Sequence, residues 1–494
     1  MRGVTGCLPP ARDLSLQAMS DRTSPRTWVL FIVALLAVPP AAMALQQRID
    51  EDTWWHLAVG KYIATHRALP DVDPFSRIGV DEGARWAAYS WLYELGVYGC
   101  HSLFGLKGVF FFRYVLAFGT ILVVMRFATR HLASAPVALA ALGLMIASVL
   151  ALLSERPWHA TIMGTVLTLD VVLRVRDGEP AHHFWWLPLC YVLWANIHIQ
   201  FVLGLGLLGL AWGVTVLERR RPRAARGRGR AGLLLLGLAC AAATLVTPFH
   251  IRLYGIIWEY ATQTTPLRTV SELMPPNWLQ WWNWPLAVLL AWAAFEVGRR
   301  RFPLWETALL ATGIVFSLRM QRDLWYGCLT AVAVIARCRH AAVPEPIRLS
   351  GGALAAAVAA AFAVVRIGWQ AVSTPSVDEF QAKEYPAAAV AYVQEHRLPG
   401  PLFNDFNWGG YLIWNLPELP VSIDGRTNFY GEERLSRILN AWAARQGWQS
   451  TPELVNARVI IAPRTQLLTT VLLESTERWQ PVYSDDVAVV FTLR

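Results

Sequence analysis

The sequence carries little charge for its length. Only 16% of its 494 residues are Asp, Glu, Lys or Arg, whereas a soluble domain carries roughly 25%. Hydrophobic residues make up 55%, and they recur in stretches of about 17–25 residues, the length of a helix that crosses the core of a bilayer. The composition therefore argues against a soluble protein and predicts a polytopic α-helical membrane protein.

Cysteine is also scarce, and familiar nucleotide motifs are absent. The six cysteines show no spacing typical of a metal site. Most of them lie inside apolar runs, where cysteine behaves as a small hydrophobic residue, as at Cys190, Cys240 and Cys328. We therefore expect no disulfide framework.

The sequence also contains neither a nucleotide-binding fingerprint nor an internal repeat.

The net charge of +9 has a topological explanation. Much of the excess is arginine that lies between apolar segments, above all in the cluster at 219–230. Loops that stay in the cytoplasm are enriched in Lys and Arg. The positive charge is therefore no indication of nucleic-acid binding, and we expect no nucleic acid as a partner.

About eleven apolar segments can be assigned along the chain. They are 27–45, 108–125, 133–153, 158–174, 184–197, 200–217, 232–248, 284–298, 303–318, 324–337 and 350–370. If the N-terminus is cytoplasmic, every loop on the inside is basic, and the outside loops hold acids, aromatics and prolines. The weak point of this topology is the junction at 197–200, which leaves almost no loop between the segments 184–197 and 200–217.

This topology divides the chain into three parts. We predict a cytoplasmic tail at 1–26, a transmembrane domain at 27–373 and a small extracytoplasmic α/β domain at 374–494. The segment 27–45 is either an uncleaved first span or a signal peptide, and in both cases the chain after residue 45 lies outside. The Arg- and Ala-rich composition is typical of a GC-rich bacterium, which predicts the inner (cytoplasmic) membrane.

The C-terminal domain shows short elements of both kinds. Helical patterns cover 387–395 and 432–444. Buried-strand patterns cover 421–423, 459–461 and 487–493. Glycine pairs and Asp-Gly predict tight turns at 409–410 and 424–426.

The first outside loop, 46–107, is too long to be a simple connector. It opens with DEDTWWH at 50–56, in which Asp52 is a candidate N-cap for an interfacial helix. The sequence LPDVDPFS follows at 69–76, and a second amphipathic stretch, WAAYSWLYE, lies at 86–94. We expect these residues to form part of a site at the outer membrane surface.

The order of these motifs resembles the GT-C superfamily of membrane glycosyltransferases, most of all the protein O-mannosyltransferase and aminoarabinose-transferase branch. The resemblance covers about 70 residues: Asp52 matches the catalytic Asp, Gly60 a small residue on the next helix, and Tyr89 to Leu92 the second interfacial element. It departs from the family pattern at Thr53, where those enzymes usually have Glu. The resemblance implies transfer of a sugar from a polyprenyl-phosphate carrier to a lipid, glycan or protein acceptor.

Within this hypothesis, Asp52 is the candidate general base for the acceptor hydroxyl. The guanidinium group of an arginine matches the geometry of a phosphate, so arginines in the predicted outside loops are candidate ligands of the donor phosphate. The candidate substrate-binding residues are Arg156, Arg319, Arg322, His56, Trp91 and Glu155. The alternatives are that Asp52 only caps its helix, and that the arginines reach towards the interface and pair with Glu155 and Asp323.

Two further questions stay open in the sequence. Some members of the superfamily use a divalent metal, but neither Asp52 with His56 nor Glu155 with His159 and His198 forms a tight ligand motif. The turns at 403–412 and 423–430 can bind carbohydrate or simply cap a small sheet. A transporter or flippase of lipid-linked substrates and a non-catalytic assembly factor of the same fold are the alternative functions.

Overall fold

We analysed the protein in a computed structural model. The structure describes residues 49–132, 134–149, 152, 154–218, 223–339, 381–475 and 477–494. The predicted cytoplasmic tail and the apolar segments 27–45 and 350–370 lie outside these residues.

The part of the chain up to residue 339 is helical. Its α-helices are α1 Thr53–His66, α2 Arg77–Glu82, α3 Trp91–Phe104, α4 Leu106–His131, α5 Ala135–Val149, α6 Trp158–Arg176, α7 Leu187–Ile197, α8 Val202–Leu217, α9 Arg223–Ala243, α10 Arg252–Thr262, α11 Thr265–Thr269, α12 Trp284–Arg299, α13 Leu304–Arg319 and α14 Leu324–Arg339. Short 3-10 helices lie at Ala181–Phe184, Ile199–Phe201, Ser271–Leu273, Trp281–Asn283 and Gln321–Asp323.

Three helices among the described residues are long and apolar enough to cross a membrane. They are Leu106–His131, Trp158–Arg176 and Ile199–Leu217, and two shorter apolar helices are Pro136–Val149 and Gly229–Ala243. The 26 residues of α4 extend about 39 Å at a rise of 1.5 Å per residue. These helices fit an integral membrane protein, while the total of about eleven spans stays a prediction.

The junction at 197–200 forms a tight return. Helix α7 ends where His198 adopts an extended conformation (φ −154°), and one 3-10 turn leads directly into α8. Gly164 of α6 and Gly204 of α8 allow both helices to pack closely against α7, since a Cβ at either glycine would overlap the ring of Trp194. Small residues allow such close approach between helices, so two spans can meet with almost no loop.

The C-terminal domain is a small α/β unit, as predicted. Its elements are α15 Ala387–Glu395, β1 Leu402–Asn404, α16 Gly409–Asn415, α17 Thr427–Trp442, α18 Pro452–Val455, β2 Val459–Pro463, α19 Leu467–Glu474, β3 Trp479–Ser484 and β4 Ala488–Leu493. The strand order is β1-β2-β4-β3. Strands β1 and β2 are parallel, and the other two pairs are antiparallel.

The structure confirms some predicted elements of this domain and corrects others. The helix at 387–395 and the strands at 459–461 and 487–493 are present. The strand at 421–423 is wrong, because Val421 forms only an isolated bridge to Ser76 in the first loop. The turn at 409–410 is also wrong, because both glycines begin α16. Strand β3, which contains Pro481 at the edge of the sheet, carried no clear sequence pattern.

Helix α1 lacks the exposed apolar face that is expected of an interfacial helix along its first half. The first half of the helix is buried on every side, including Trp54, Trp55 and His56. It packs against α3 and against α16 of the C-terminal domain. Gly60 allows the contact with α3, since a Cβ there would overlap the backbone oxygen of Glu94. The candidate site is therefore enclosed between the membrane helices and the C-terminal domain.

Candidate active site

A cavity of about 1410 Å³ lies where the helical part of the chain meets the C-terminal domain. Its walls come from the start of α1, the segment 86–94, the residues before α6, the junction of α7 and α8, the segment 257–273, the end of α13 and the loops before α16 and α17. Five of the predicted site residues line it: Asp52, His56, Arg156, Arg319 and Arg322. Residues far apart in the sequence thus meet at one site.

Asp52 lies at the N-cap position of α1, but its side chain makes no capping hydrogen bond there within the described structure. Instead, its carboxylate forms a close ion pair with Arg156. Burial is the largest single influence and would raise the pKa of Asp52, but Arg156, together with smaller contributions that include Arg322, holds the pKa below its ordinary value. Asp52 is therefore ionised, oriented and in contact with the cavity.

Arg156 gathers three carboxylates. Its guanidinium lies 2.7 Å from Asp50 Oδ1 and 4.0 Å from Glu272 Oε2, in addition to the pair with Asp52. Burial raises the pKa of Asp50 to about 6 in spite of this contact. Sequence reasoning missed Glu272, although an acid in an outside loop was the available signal.

Glu155 does not line the cavity, which corrects its assignment to substrate binding. Its side chain is fully buried and forms a close ion pair with Arg113. It also accepts hydrogen bonds from the backbone N–H of Asp50 (2.7 Å) and from the hydroxyl of Thr53 (3.1 Å). Glu155 therefore fixes the start of α1, and so positions Asp52.

Trp91 is also placed differently from the prediction. Its indole Nε1 donates a hydrogen bond to Asn196 Oδ1 at 2.8 Å, and the ring is absent from the cavity lining. Asn196 in turn donates to the carbonyl oxygen of Val246. Trp91 thus joins α3 to the end of α7, while its neighbours Tyr89 and Ser90 face the cavity.

Arg322 and Arg156 form a cationic patch on one indole ring. Each guanidinium lies 5.4 Å from the centroid of Trp158. Arg322 approaches Glu272 at 3.7 Å, and Arg319 donates to the carbonyl oxygen of Ala261 at 3.4 Å. Within the described residues, Arg156 and Arg322 form their ion pairs with acids other than Glu155, whereas the charges of Arg322 and Arg319 still favour the ionised form of Asp323.

His56 faces a buried acid that sequence reasoning missed. Its Nδ1 lies 3.3 Å from Glu94 Oε1, and both side chains are almost fully buried. Burial lowers the pKa of His56 to about 3 and raises that of Glu94 to about 8. At neutral pH both groups are therefore uncharged, and His56 lies one helical turn along α1 from ionised Asp52.

The C-terminal domain closes directly onto Asp52. A Cβ at Gly425 would overlap Asp52 Oδ1, and one at Gly410 would lie 2.7 Å from the backbone oxygen of Glu51. Asp405 lies in the same wall, where Gln466 donates to its carboxylate at 3.0 Å. Both predicted carbohydrate-binding turns contribute residues to the cavity.

The loop that carries Gly425 is fixed by a closed ion network. Arg426 contacts Asp73 Oδ1 at 2.6 Å and Asp424 Oδ2 at 2.7 Å. Tyr430 donates to the same Asp424 oxygen at 2.6 Å. The network joins the segment between α1 and α2 to the C-terminal domain.

The described residues include no group of three or more His, Cys, Asp or Glu placed to hold a metal ion. The two ring nitrogens of His159 contact Thr120 and the carbonyl oxygen of Ser154 at 2.9 Å each. His198 Nδ1 contacts Thr161 at 2.7 Å. Both histidines therefore make structural hydrogen bonds, while metal dependence itself stays untested.

Comparisons with known proteins define the class of fold. No protein-family model matches the sequence, and no curated protein matches it either. Among solved structures, the chain is similar to the archaeal oligosaccharyltransferase AglB from Archaeoglobus fulgidus, in complex with an inhibitory peptide and a dolichol-phosphate. The TM-score is 0.51, the identity is 12%, and the match covers 91% of this chain and 70% of that one. The chain therefore shares the overall fold of that membrane protein.

Proposed function

We propose that the protein is a membrane glycosyltransferase that moves a sugar from a polyprenyl-phosphate donor to an acceptor at the outer face of the membrane. The observation that carries this proposal is the single cavity in which ionised Asp52 and the arginines Arg156, Arg319 and Arg322 meet. The likeness to a structure that contains a dolichol-phosphate and a peptide supports a lipid-linked donor and a separate acceptor.

In the proposed reaction, an acceptor oxygen forms a bond to the anomeric carbon, and the bond from that carbon to the carrier phosphate breaks. The acceptor proton passes to Asp52, the general base. The electron pair of the broken bond stays on the phosphate, where Arg322 and Arg319 stabilise the growing negative charge. A single displacement of this kind inverts the anomeric configuration.

Arg156 has a separate part in this scheme. Since its guanidinium holds Asp50, Asp52 and Glu272 together, it keeps Asp52 ionised and aligns it towards the cavity. Its fork also matches phosphate geometry. An arriving donor phosphate would therefore compete with the acids for Arg156 and release Asp52 for the acceptor.

The acceptor would enter from the side of the C-terminal domain, which supplies Asp405, Asn407 and Asn428 to the cavity. Carboxylate and amide side chains of this kind recognise hydroxyl and amide groups. We place this domain outside the inner membrane of a bacterium, with the polyprenyl tail of the donor among the membrane lipids. Lipid, glycan and protein acceptors all remain compatible with the cavity.

The direct test is binding of undecaprenyl phosphate to the full chain in nanodiscs. The double variant Arg319→Ala/Arg322→Ala should lose most of the saturable binding seen for the wild type, while Arg299→Ala, at the far end of α12, should keep it. Equal binding by all three proteins, or no binding by any, would remove the proposed donor site.

A non-catalytic assembly factor is the second candidate. The observation in its favour is that the Asp52 carboxylate is already engaged in an ion pair with Arg156. If Asp52→Asn supports full biological activity of the protein in cells, the assembly factor is the better description. A transporter stays the third alternative, and vesicle flipping of the carrier lipid without sugar transfer would favour it.

A further inference from the structure

Two buried oxygens face the cavity without a partner in the described structure. Ser90 Oγ and Glu94 Oε2 make no hydrogen bond there, although Ser90 is 2% exposed and Glu94 1% exposed. Both residues line the cavity and lie one turn apart at the start of α3. Buried polar groups in folded proteins nearly always have a partner. A ligand in the cavity is the simplest source of one.

The two titratable side chains of this corner, Glu94 and His56, are uncharged at pH 7. His56, which contacts the other oxygen of Glu94, is neutral at pH 7, since burial lowers its pKa to about 3. Glu94 is protonated, since burial raises its pKa to about 8. Arg426 also acts on Glu94, but Asp73 and Asp424 already neutralise it. This corner therefore differs from the cationic patch formed by Arg156 and Arg322.

The chemistry of the corner matches hydroxyl groups. A serine hydroxyl and a protonated carboxyl both donate and accept hydrogen bonds, as sugar hydroxyls do. A phosphate offers only acceptors and finds its counter-ions at the arginines instead. The corner adjoins His56, one turn of α1 after Asp52, which is about 5.4 Å along the helix and comparable with the width of a sugar ring.

We propose that Ser90, Glu94 and His56 form a subsite for the hydroxyl groups of an uncharged sugar, the group that is transferred. The inference rests on the proposed function and adds the residues and the chemical class of the sugar. With the sugar hydroxyls in this corner and the carrier phosphate at Arg322, the anomeric carbon lies on the Asp52 side of the cavity.

The test compares two lipids on the same protein. The full chain in nanodiscs is titrated with undecaprenyl phosphate and with undecaprenyl phosphate bearing mannose, and the ratio of the two Kd values measures what the sugar adds. In the wild type, the mannose lipid should bind roughly 10-fold tighter, because each new hydrogen bond contributes a few-fold. Ser90→Ala and Glu94→Met should each reduce this ratio about 3-fold or more.

Three controls separate the possible explanations. Ser102→Ala, at an exposed position on the same helix, should leave the ratio unchanged. The two subsite variants should still bind undecaprenyl phosphate like the wild type, which excludes misfolding. Glu94→Gln, which keeps a side chain that both donates and accepts hydrogen bonds, should retain most of the wild-type ratio, and a ratio as low as that of Glu94→Met would count against a hydrogen-bonding role.

The outcomes distinguish failure of the proposed donor site from failure of the sugar subsite. If neither lipid binds, the proposed function fails before the subsite is reached. If both lipids bind equally in the wild type, or if Ser90→Ala and Glu94→Met keep the wild-type ratio, the subsite is wrong while the donor site stands. Tighter binding of a lipid that bears an amino sugar than of the mannose lipid would overturn the assignment to an uncharged sugar.

Discussion

Two buried arginines hold carboxylates together in this protein, but only one of them does so in a closed network. The side chain of Arg426 is 2% exposed, and its partners Asp73 and Asp424 are fully buried. The side chain of Arg156 is 13% exposed, and its partners Asp50, Asp52 and Glu272 are exposed by 15%, 19% and 31%. The first network is sealed, and the second opens onto the cavity.

The difference indicates which network can take part in chemistry. Removing charges from water is costly, and a buried ion pair is stable only when every partner is satisfied. Arg426 meets that condition, so it fixes the loop that places Gly425 against Asp52. The acids around Arg156 remain partly accessible, so a substrate can exchange with them without breaking the fold.

The largest expected effect comes from opening the sealed network. Arg426→Ala leaves Asp73 and Asp424 buried without a counter-ion, which should cost about 3–5 kcal/mol. Thermal unfolding in detergent should show a strongly lowered Tm or loss of the folded protein. As a control, Arg434→Ala removes only partly exposed ion pairs and should cost at most about 1 kcal/mol.

The second largest expected effect is a loss of sugar transfer when Asp52 is replaced. Asp52→Asn should reduce sugar transfer by about 100-fold or more, because the general base is lost, and should change the Tm little, because the partners of Arg156 include two other acids. Transfer is measured with a radiolabelled polyprenyl-phosphate sugar. Wild-type rates in this variant would show that the open network is structural, like the sealed one.

A substitution at Gly425 tests whether the loop that the Arg426 network fixes also positions the Asp52 carboxylate of the Arg156 network. Gly425→Ala introduces a Cβ that overlaps Asp52 Oδ1, so it should displace the carboxylate and slow transfer by about 10-fold or more. Gly99→Ala is the matched control, since nothing lies within 4 Å of a Cβ there. Equal rates for the two alanine variants would contradict direct contact between Gly425 and Asp52.

The smallest effect is a pH dependence that belongs to neither network. Glu94 has a pKa of about 8 in the folded chain and 4.5 ordinarily, so it binds its proton more tightly when folded. Stability should therefore fall as the pH rises from about 4.5 to about 8 and level off above that, by at most about 1.4 kcal/mol per pH unit. The measurement is the Tm of wild type and Glu94→Gln at pH 7 and pH 8.

His56 does not obscure this comparison. Its ordinary pKa is 6.5 and its folded pKa about 3, so it is mostly neutral in both states above pH 7. Arg426 faces Glu94 as well, but its charge is constant. A Tm that falls by the same amount in wild type and in Glu94→Gln would show that Glu94 is not the group responsible.

The lining of the cavity was predictable where one residue carried the signal and unpredictable where the signal came from contact. Asp52 and Arg156 were identifiable because an acid and an arginine lay next to apolar spans. Trp91 and Glu155 were assigned to substrate because they stand in the same motifs, but one side chain turns to Asn196 and the other to Arg113. Sequence spacing does not fix which side of a buried helix faces a cavity.

The sequence by itself determined the membrane helices and the α/β character of the C-terminal domain, because apolar length and periodicity act locally along the chain. Only the tertiary structure decided that α1 is enclosed and not interfacial, and that Gly425, Glu272 and Glu94 surround the same cavity as Asp52. Those contacts join residues separated by up to several hundred positions. They depend on how the C-terminal domain packs on the first loop, which is a property of three-dimensional packing and leaves no local pattern in the sequence.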